Sequence, residues 1–232
     1  TCPSAPSSPV STLQTTSAVV LQWTAPALGF GASVSGFVVY RNDGMGGTSI
    51  STMVYSSNLA NRTECEATDL LGGHQYLFAV SALSVAGEGD RSSAVPISTS
   101  PAAVSGLSSV AQTTSSISLS SDAVVASGGE EVTGYIVYRS DGAGGADHST
   151  VVDNGTGSTE ATATVVELEG GRLYSFVVSG VSAAGEGDVS AEASTQSTSP
   201  GAPSGLTSVL QTTNSITLEW TAPLKLGGDT TS

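Results

Sequence analysis

Apolar residues in this chain come in short bursts that alternate with polar ones, and clusters of Gly, Pro, Ser and Asp separate one burst from the next. No stretch keeps the period of an amphipathic helix, so the pattern predicts an all-β fold. Over the first hundred residues the predicted strands run at about 9–14, 17–24, 34–41, 49–55, 63–69, 75–84 and 92–98. Seven strands at this spacing predict a two-sheet sandwich. The alternation is clearest at 75–84, where Tyr76, Phe78, Val80 and Ala82 share the face expected to pack inward. At 34–41, Phe37, Val39 and Arg41 lie on one face and Val38 and Tyr40 on the other. Both faces are largely apolar, which predicts a place at the centre of a sheet.

The pattern then starts again. Gln14-Thr15-Thr16-Ser17 recurs as Gln112-Thr113-Thr114-Ser115 and as Gln211-Thr212-Thr213-Asn214. Residues 14–90 align on 112–188 without a gap, and roughly two positions in five are identical. A repeat of about one hundred residues is a domain rather than a solenoid unit. Tyr174, Phe176, Val178 and Gly180 restate the inward face, and Tyr135 to Arg139 restate the central strand. Short Ser/Thr/Pro linkers at Ser100-Pro101 and Ser199-Pro200 divide the chain into residues 1–100, 101–199 and the opening of a third repeat at 200–232. That last piece supplies two strands, which are marginal alone and are expected to be poorly ordered or to lean on the preceding domain. Asp43-Gly44, Asp141-Gly142 and Asp153-Asn154-Gly155 are expected in tight turns, and Ala86–Asp90 and Ala184–Asp188 in short, sharply folded loops. The chain opens in Thr1-Cys2-Pro3-Ser4 and ends inside a repeat, so it reads as a piece of a longer protein, with any signal or anchor expected elsewhere.

Charge and chemistry narrow the function by exclusion. The formal net charge is −14, concentrated in the second repeat, and six scattered Lys and Arg cannot form the positive footprint that nucleic acid or an anionic membrane requires. No apolar run is long enough to span a bilayer. Cys2 and Cys65 have no counterparts in the second repeat, so a disulfide framework is not expected, and Cys65, aligned with Ala163, is read as a small buried hydrophobe. His74 corresponds to Arg172 and His148 to Ile50, and neither stands in a metal-spaced pair. Nothing resembles a nucleophile elbow, a P-loop or a Cys-His pair, and Glu130-Glu131 and Glu167 with Glu169 are not placed across a cleft by anything in the sequence. No catalytic residue, cofactor or metal is expected. Asn61-Arg62-Thr63 and Asn154-Gly155-Thr156 have the form of N-glycosylation acceptors, informative only in a secreted eukaryotic chain.

The remaining signals form a set. Leu21-Gln22-Trp23-Thr24-Ala25-Pro26 is followed by Gly36-Phe37-Val38-Val39-Tyr40, by Leu70 six residues before Tyr76, by the strand from Tyr76 to Ala82, and by Ala86-Gly87-Glu88-Gly89. Leu168, Tyr174 and Ala184 to Gly187 repeat the later part, and Leu218-Glu219-Trp220-Thr221-Ala222-Pro223 restates the first. In these motifs nearly the whole chain resembles tandem fibronectin type III domains, two complete and a third truncated. The resemblance implies immunoglobulin-like seven-stranded β-sandwiches, with Trp23 and Trp220 as the buried tryptophan of the second strand and Tyr76 and Tyr174 as the corner tyrosines. It also implies core roles for Tyr40, Leu70, Tyr138 and Leu168. The second repeat departs from the pattern, with Ser121 in place of Trp23 and Val124 in place of Pro26, and is expected to be the less stable module. Arg-Gly-Asp, the family's best-known recognition signal, is absent; Gly89-Asp90-Arg91 holds the same letters in another order. The expected function is a non-catalytic scaffold or adhesion segment of a surface or secreted protein with protein partners. The alternatives are spacer domains of a secreted enzyme such as a polysaccharide hydrolase, and the ectodomain of a signalling receptor.

Overall fold

The computed structural model describes residues 1–27, 33–126, 128–155, 157–191 and 194–223. They contain strands and turns and no helix. In the first repeat the strands are β1 (Val10–Gln14), β2 (Val19–Gln22), β3 (Gly36–Arg41), β4 (Thr52–Ser57), β5 (Glu64–Ala67), β6 (Gln75–Ser84), β7 (Gly87–Arg91) and β8 (Val95–Ser98). One sheet has the order β1-β2-β5, and the other runs β4-β3-β6-β7 with β8 also paired to β6. All pairings in both sheets are antiparallel. Between the sheets Leu21, Trp23 and Ala67 of one side meet Phe37, Val39, Phe78 and Val80 of the other in a single buried cluster. β3 lies between β4 and β6, inside its sheet rather than at an edge, as its pattern predicts.

The second repeat rebuilds the same plan with β9 (Ser108–Gln112), β10 (Ile117–Ser120), β11 (Val132–Arg139), β12 (Thr150–Asn154), β13 (Thr162–Val165), β14 (Leu173–Ser182), β15 (Gly185–Glu186) and β16 (Ser194–Ser197). Its sheets are β13-β10-β9 and β12-β11-β14-β15, with β16 paired to β14. Ile117, Leu119, Val137, Val165, Phe176 and Val178 are buried. The third repeat contributes the hairpin of β17 (Ser204–Gln211) and β18 (Ile216–Thr221), exposed along its whole length.

Two sequence expectations need correction. The last strand of each sandwich comes in two pieces. In the first, Ser92 donates its N–H to Val80 O at 2.8 Å while its Oγ accepts the Val80 N–H at 3.0 Å, so at the break between β7 and β8 a side chain replaces one rung of the ladder to β6. Ser190 does the same with Val178, at 2.8 and 3.2 Å. Gly87 to Asp90 therefore belong to β7 rather than to a loop, and the hairpin turn narrows to Val85-Ala86 with Gly87 at φ 113°. Likewise Asp43-Gly44 opens the long loop between β3 and β4 rather than a tight hairpin, with Asp43 Oδ1 accepting the Met45 N–H at 2.9 Å.

The Gln-Thr-Thr repeat marks one device used three times. Thr15 Oγ1 accepts the Ala18 N–H at 2.9 Å, Thr113 Oγ1 accepts the Ser116 N–H at 2.9 Å, and Thr212 Oγ1 accepts the Ser215 N–H at 3.0 Å. The threonine hydroxyl closes the turn between the first two strands of each repeat, the competition with regular structure expected of Ser and Thr next to their own backbone.

Candidate functional site

The tyrosine corners are equivalent in the two sandwiches. Tyr76 Oη accepts the Leu71 N–H at 2.8 Å, and Tyr174 Oη accepts the Glu169 N–H at 3.0 Å. Leu70 and Leu168 are buried beside them, each following a residue at positive φ, Asp69 (57°) and Glu167 (58°). Gly44 and Gly142, at φ 76° and 82°, lie against the rings so closely that an added Cβ would stand 2.4 Å from Cε1 of Tyr76 or of Tyr174. The corner is thus closed by a glycine that no other residue replaces without strain. These groups hold backbone, and their chemistry ends there.

Tyr40 and Tyr138, expected in the core, are only half-buried. β3 turns Tyr40 to the outer face of its sheet, where its hydroxyl donates to the Glu88 carboxylate at 3.0 Å and the Arg91 guanidinium lies 3.6 Å from its ring centroid. Burial first, and the Glu88 carboxylate second, push the Tyr40 phenol above its ordinary pKa. Trp220, also expected in a core, is 59% exposed on the β17–β18 hairpin, whose two strands pair only with each other among the described residues. Asn61 and Asn154 are exposed; Thr156, which completes the second acceptor triplet, lies outside the described residues. His74 Nδ1 is 3.0 Å from Gly72 O, and His148 Nε2 is 2.8 Å from Ser175 Oγ. Among the described residues no group of three or more His, Cys, Asp or Glu side chains could hold a metal ion.

The tryptophan position is where the copies part. Trp23 is 4% exposed. Its ring meets Phe37 edge-on at 5.6 Å between centroids and Tyr55 at 6.3 Å. Cys65, 4% exposed, belongs to the same cluster, and burial pushes its thiol from 9.0 up to about 12. In the second sandwich each of these neighbours has a counterpart: Tyr135 for Phe37, Asp153 for Tyr55 and Ala163 for Cys65. With Ser121 in place of the indole, they line a cavity of about 130 Å³, together with Leu119, Val137 and Val178. The neighbours have not moved in to refill the space. Sequence comparison finds Ser121 alone; the cavity follows from reading its neighbours with it, because Tyr55 and Cys65 are also replaced by residues that fill less of the volume.

Two antiparallel sheets, a corner tyrosine in each copy and a repeat of domain length define tandem immunoglobulin-like sandwiches. The chain belongs to the fibronectin type III family, whose domain model matches residues 4–98 and 102–196. It is 36% identical over 216 residues to chitinase A1 of Niallia circulans, covering 87% of this chain and 27% of that protein. It is 37% identical over 139 residues to contactin-5 of Danio rerio, 58% of this chain and 12% of that protein. With the human receptor-type tyrosine-protein phosphatase H the identity is 32% over 213 residues, 90% of this chain and 17% of that protein. The chain thus spans only a minor part of the length of each relative. Among solved structures, the chicken CNTN1 FN1–FN3 domains align with a TM-score of 0.44 and 18% identity over 85% of this chain and 69% of that one.

Proposed function

We propose that this chain is a non-catalytic spacing and presentation segment of a larger secreted or cell-surface protein, in which serial sandwiches separate other parts or offer loops and sheet faces to protein partners. The observation that supports it best is the content of the repetition. The threonine turns, the tyrosine corners and the serine that splits the last strand recur residue for residue, and each serves the backbone. The two histidines do not recur. A second reading, spacer domains within a secreted polysaccharide hydrolase, is favoured by the match to chitinase A1 over most of the chain.

The test is to replace residues 1–232 in the parent protein by an unrelated pair of sandwiches of equal length. Retained function after replacement supports spacing, and loss of a binding partner supports presentation. Turnover of a chitin oligosaccharide or a phosphopeptide by the isolated chain would overturn the non-catalytic reading.

A further inference from the structure

We infer that the cavity at Ser121 is a binding site for a small planar aromatic molecule that is neutral or cationic, of the size and shape of an indole or arylamine. The first sandwich supplies the template. There the same backbone position carries an indole between Phe37 and Tyr55, and the second sandwich keeps the aromatic wall as Tyr135 while leaving the indole's place empty. The backbone that frames the space is the same: Trp23 donates its N–H to Thr63 O at 3.0 Å, and Ser121 donates its N–H to Ala161 O at 2.9 Å. A volume of about 130 Å³ is close to that of an engineered apolar cavity, roughly 150 Å³, which takes up benzene.

The walls decide the class of occupant. Leu119, Val137, Ala163 and Val178 give water few partners on the inner side, so an apolar ring is the better filling. Ser121, Asp153 and Glu160 stand in the same lining and supply hydrogen-bond acceptors, two of them carboxylates. An N–H or ammonium group on the ring would be accepted there, whereas an anionic substituent would meet like charge on a chain of net charge −14. Glu160 is exposed, which puts its carboxylate where a substituent on a bound ring would emerge, and Asp153 is half-buried.

The whole chain should be titrated with indole, tryptamine and indole-3-acetate while the amide and methyl resonances of Ser121, Tyr135, Val137 and Ala163 are followed by NMR. Saturable shifts confined to the second sandwich are expected, with tryptamine binding about two- to fivefold more tightly than indole-3-acetate, the scale of partly exposed charge pairs. Ser121→Trp should abolish the shifts by filling the cavity with the protein's own ring, and should raise the melting temperature of the second module. Ala163→Leu narrows the same space by a smaller change and should weaken indole binding even if Ser121→Trp fails to fold. Asp153→Asn with Glu160→Gln should keep indole binding and erase the preference for the amine. Absence of shifts at millimolar indole would overturn the site. So would shifts that do not saturate, that spread equally over both sandwiches, or that survive both cavity-filling variants. Equal binding of tryptamine and indole-3-acetate to the unaltered chain would overturn the charge preference and with it the assigned ligand class.

Discussion

Trp23 and Ser121 occupy the same place in two copies of one fold, one filled by a buried indole and the other bordering a cavity. Around them the strand order is the same, the corner tyrosine closes on the same loop, and the last strand is split by a serine at the same point. The difference teaches where the fold is specified. Backbone hydrogen bonds and the turn residues that shape them are kept in both copies, so the large core residue is not what sets the topology. It contributes stability instead, and stability can be lost in part while the architecture stays.

The largest expected effect comes from making the first sandwich like the second. Trp23→Ser should cost about 3 to 5 kcal/mol, the usual price of removing a large buried aromatic. For a domain of this size each kcal/mol moves the midpoint by about 4 to 8 °C. Calorimetry of the whole chain should therefore show the first module's transition falling by at least about 12 °C. Without the substitution, the second module should melt below the first. A second module that melts at or above the first, or a Trp23→Ser change of less than about 4 °C, would show that the cavity carries no penalty. The indole Nε1 is itself buried with no hydrogen-bond partner among the described residues, which offsets some of the loss and argues for the lower end of the range.

A smaller effect should be equal in the two copies. Tyr76→Phe and Tyr174→Phe each remove the acceptor of a backbone N–H, from Leu71 and Glu169 respectively. Leaving such a donor unpaired costs about 1 to 3 kcal/mol when it is sheltered from water. Urea titrations of the two variants should give losses that agree within experimental error. A loss confined to one copy would mean that the corners are not equivalent, and the comparison would have to be redrawn.

Alkaline pH separates the copies in a third way. Burial raises the Cys65 thiol from 9.0 to about 12, so the folded state holds its proton more tightly than the unfolded chain does. Its contribution to stability is complete below pH 9.0 and is lost progressively as pH rises through about 12. Cys65→Ala, which reproduces Ala163 of the second copy, should flatten the decline in the first module's stability over that window. The same burial predicts that Cys2, which is exposed, reacts with a thiol reagent in the native state at pH 8 while Cys65 does not. Equal labelling of both would contradict it.

Much of this was legible in the sequence because repetition tests each reading twice. The period of two at Tyr76 to Ala82 and at Tyr174 to Gly180 places the inner face of the long sixth strand in both copies. The Gln-Thr-Thr turns were also readable, since threonine acts on backbone only three residues away. Where the reading failed, a non-local contact decided the outcome. The pleat puts Tyr40 opposite Phe37 and Val39, but whether that outer face is covered depends on Glu88 and Arg91, nearly fifty residues distant. Trp220 carries the same local motif as Trp23 and is exposed, on a hairpin whose two strands pair only with each other among the described residues. The splitting of the last strand at Ser92 depends on a side chain bonding to Val80 across the sheet, a choice that alternation cannot show.

The smallest expected effect lies on that outer face, at a side chain that stacks on Tyr40 and also donates a hydrogen bond to the Ile50 carbonyl. Arg91 stacks its guanidinium on Tyr40, while the second copy has Val189 at the equivalent position. Arg91 is exposed, so the cation–π contact is screened and its loss in Arg91→Val should cost only about 0.5 to 1 kcal/mol. The substitution also removes a charge that lowers the Tyr40 pKa while leaving burial and Glu88, which raise it. The phenol should then ionise at still higher pH, and a spectrophotometric titration of Tyr40 should show an upward displacement. A downward displacement would mean that losing the stacked side chain opens Tyr40 to water more than it removes positive charge, placing the guanidinium's role in shielding rather than in electrostatics.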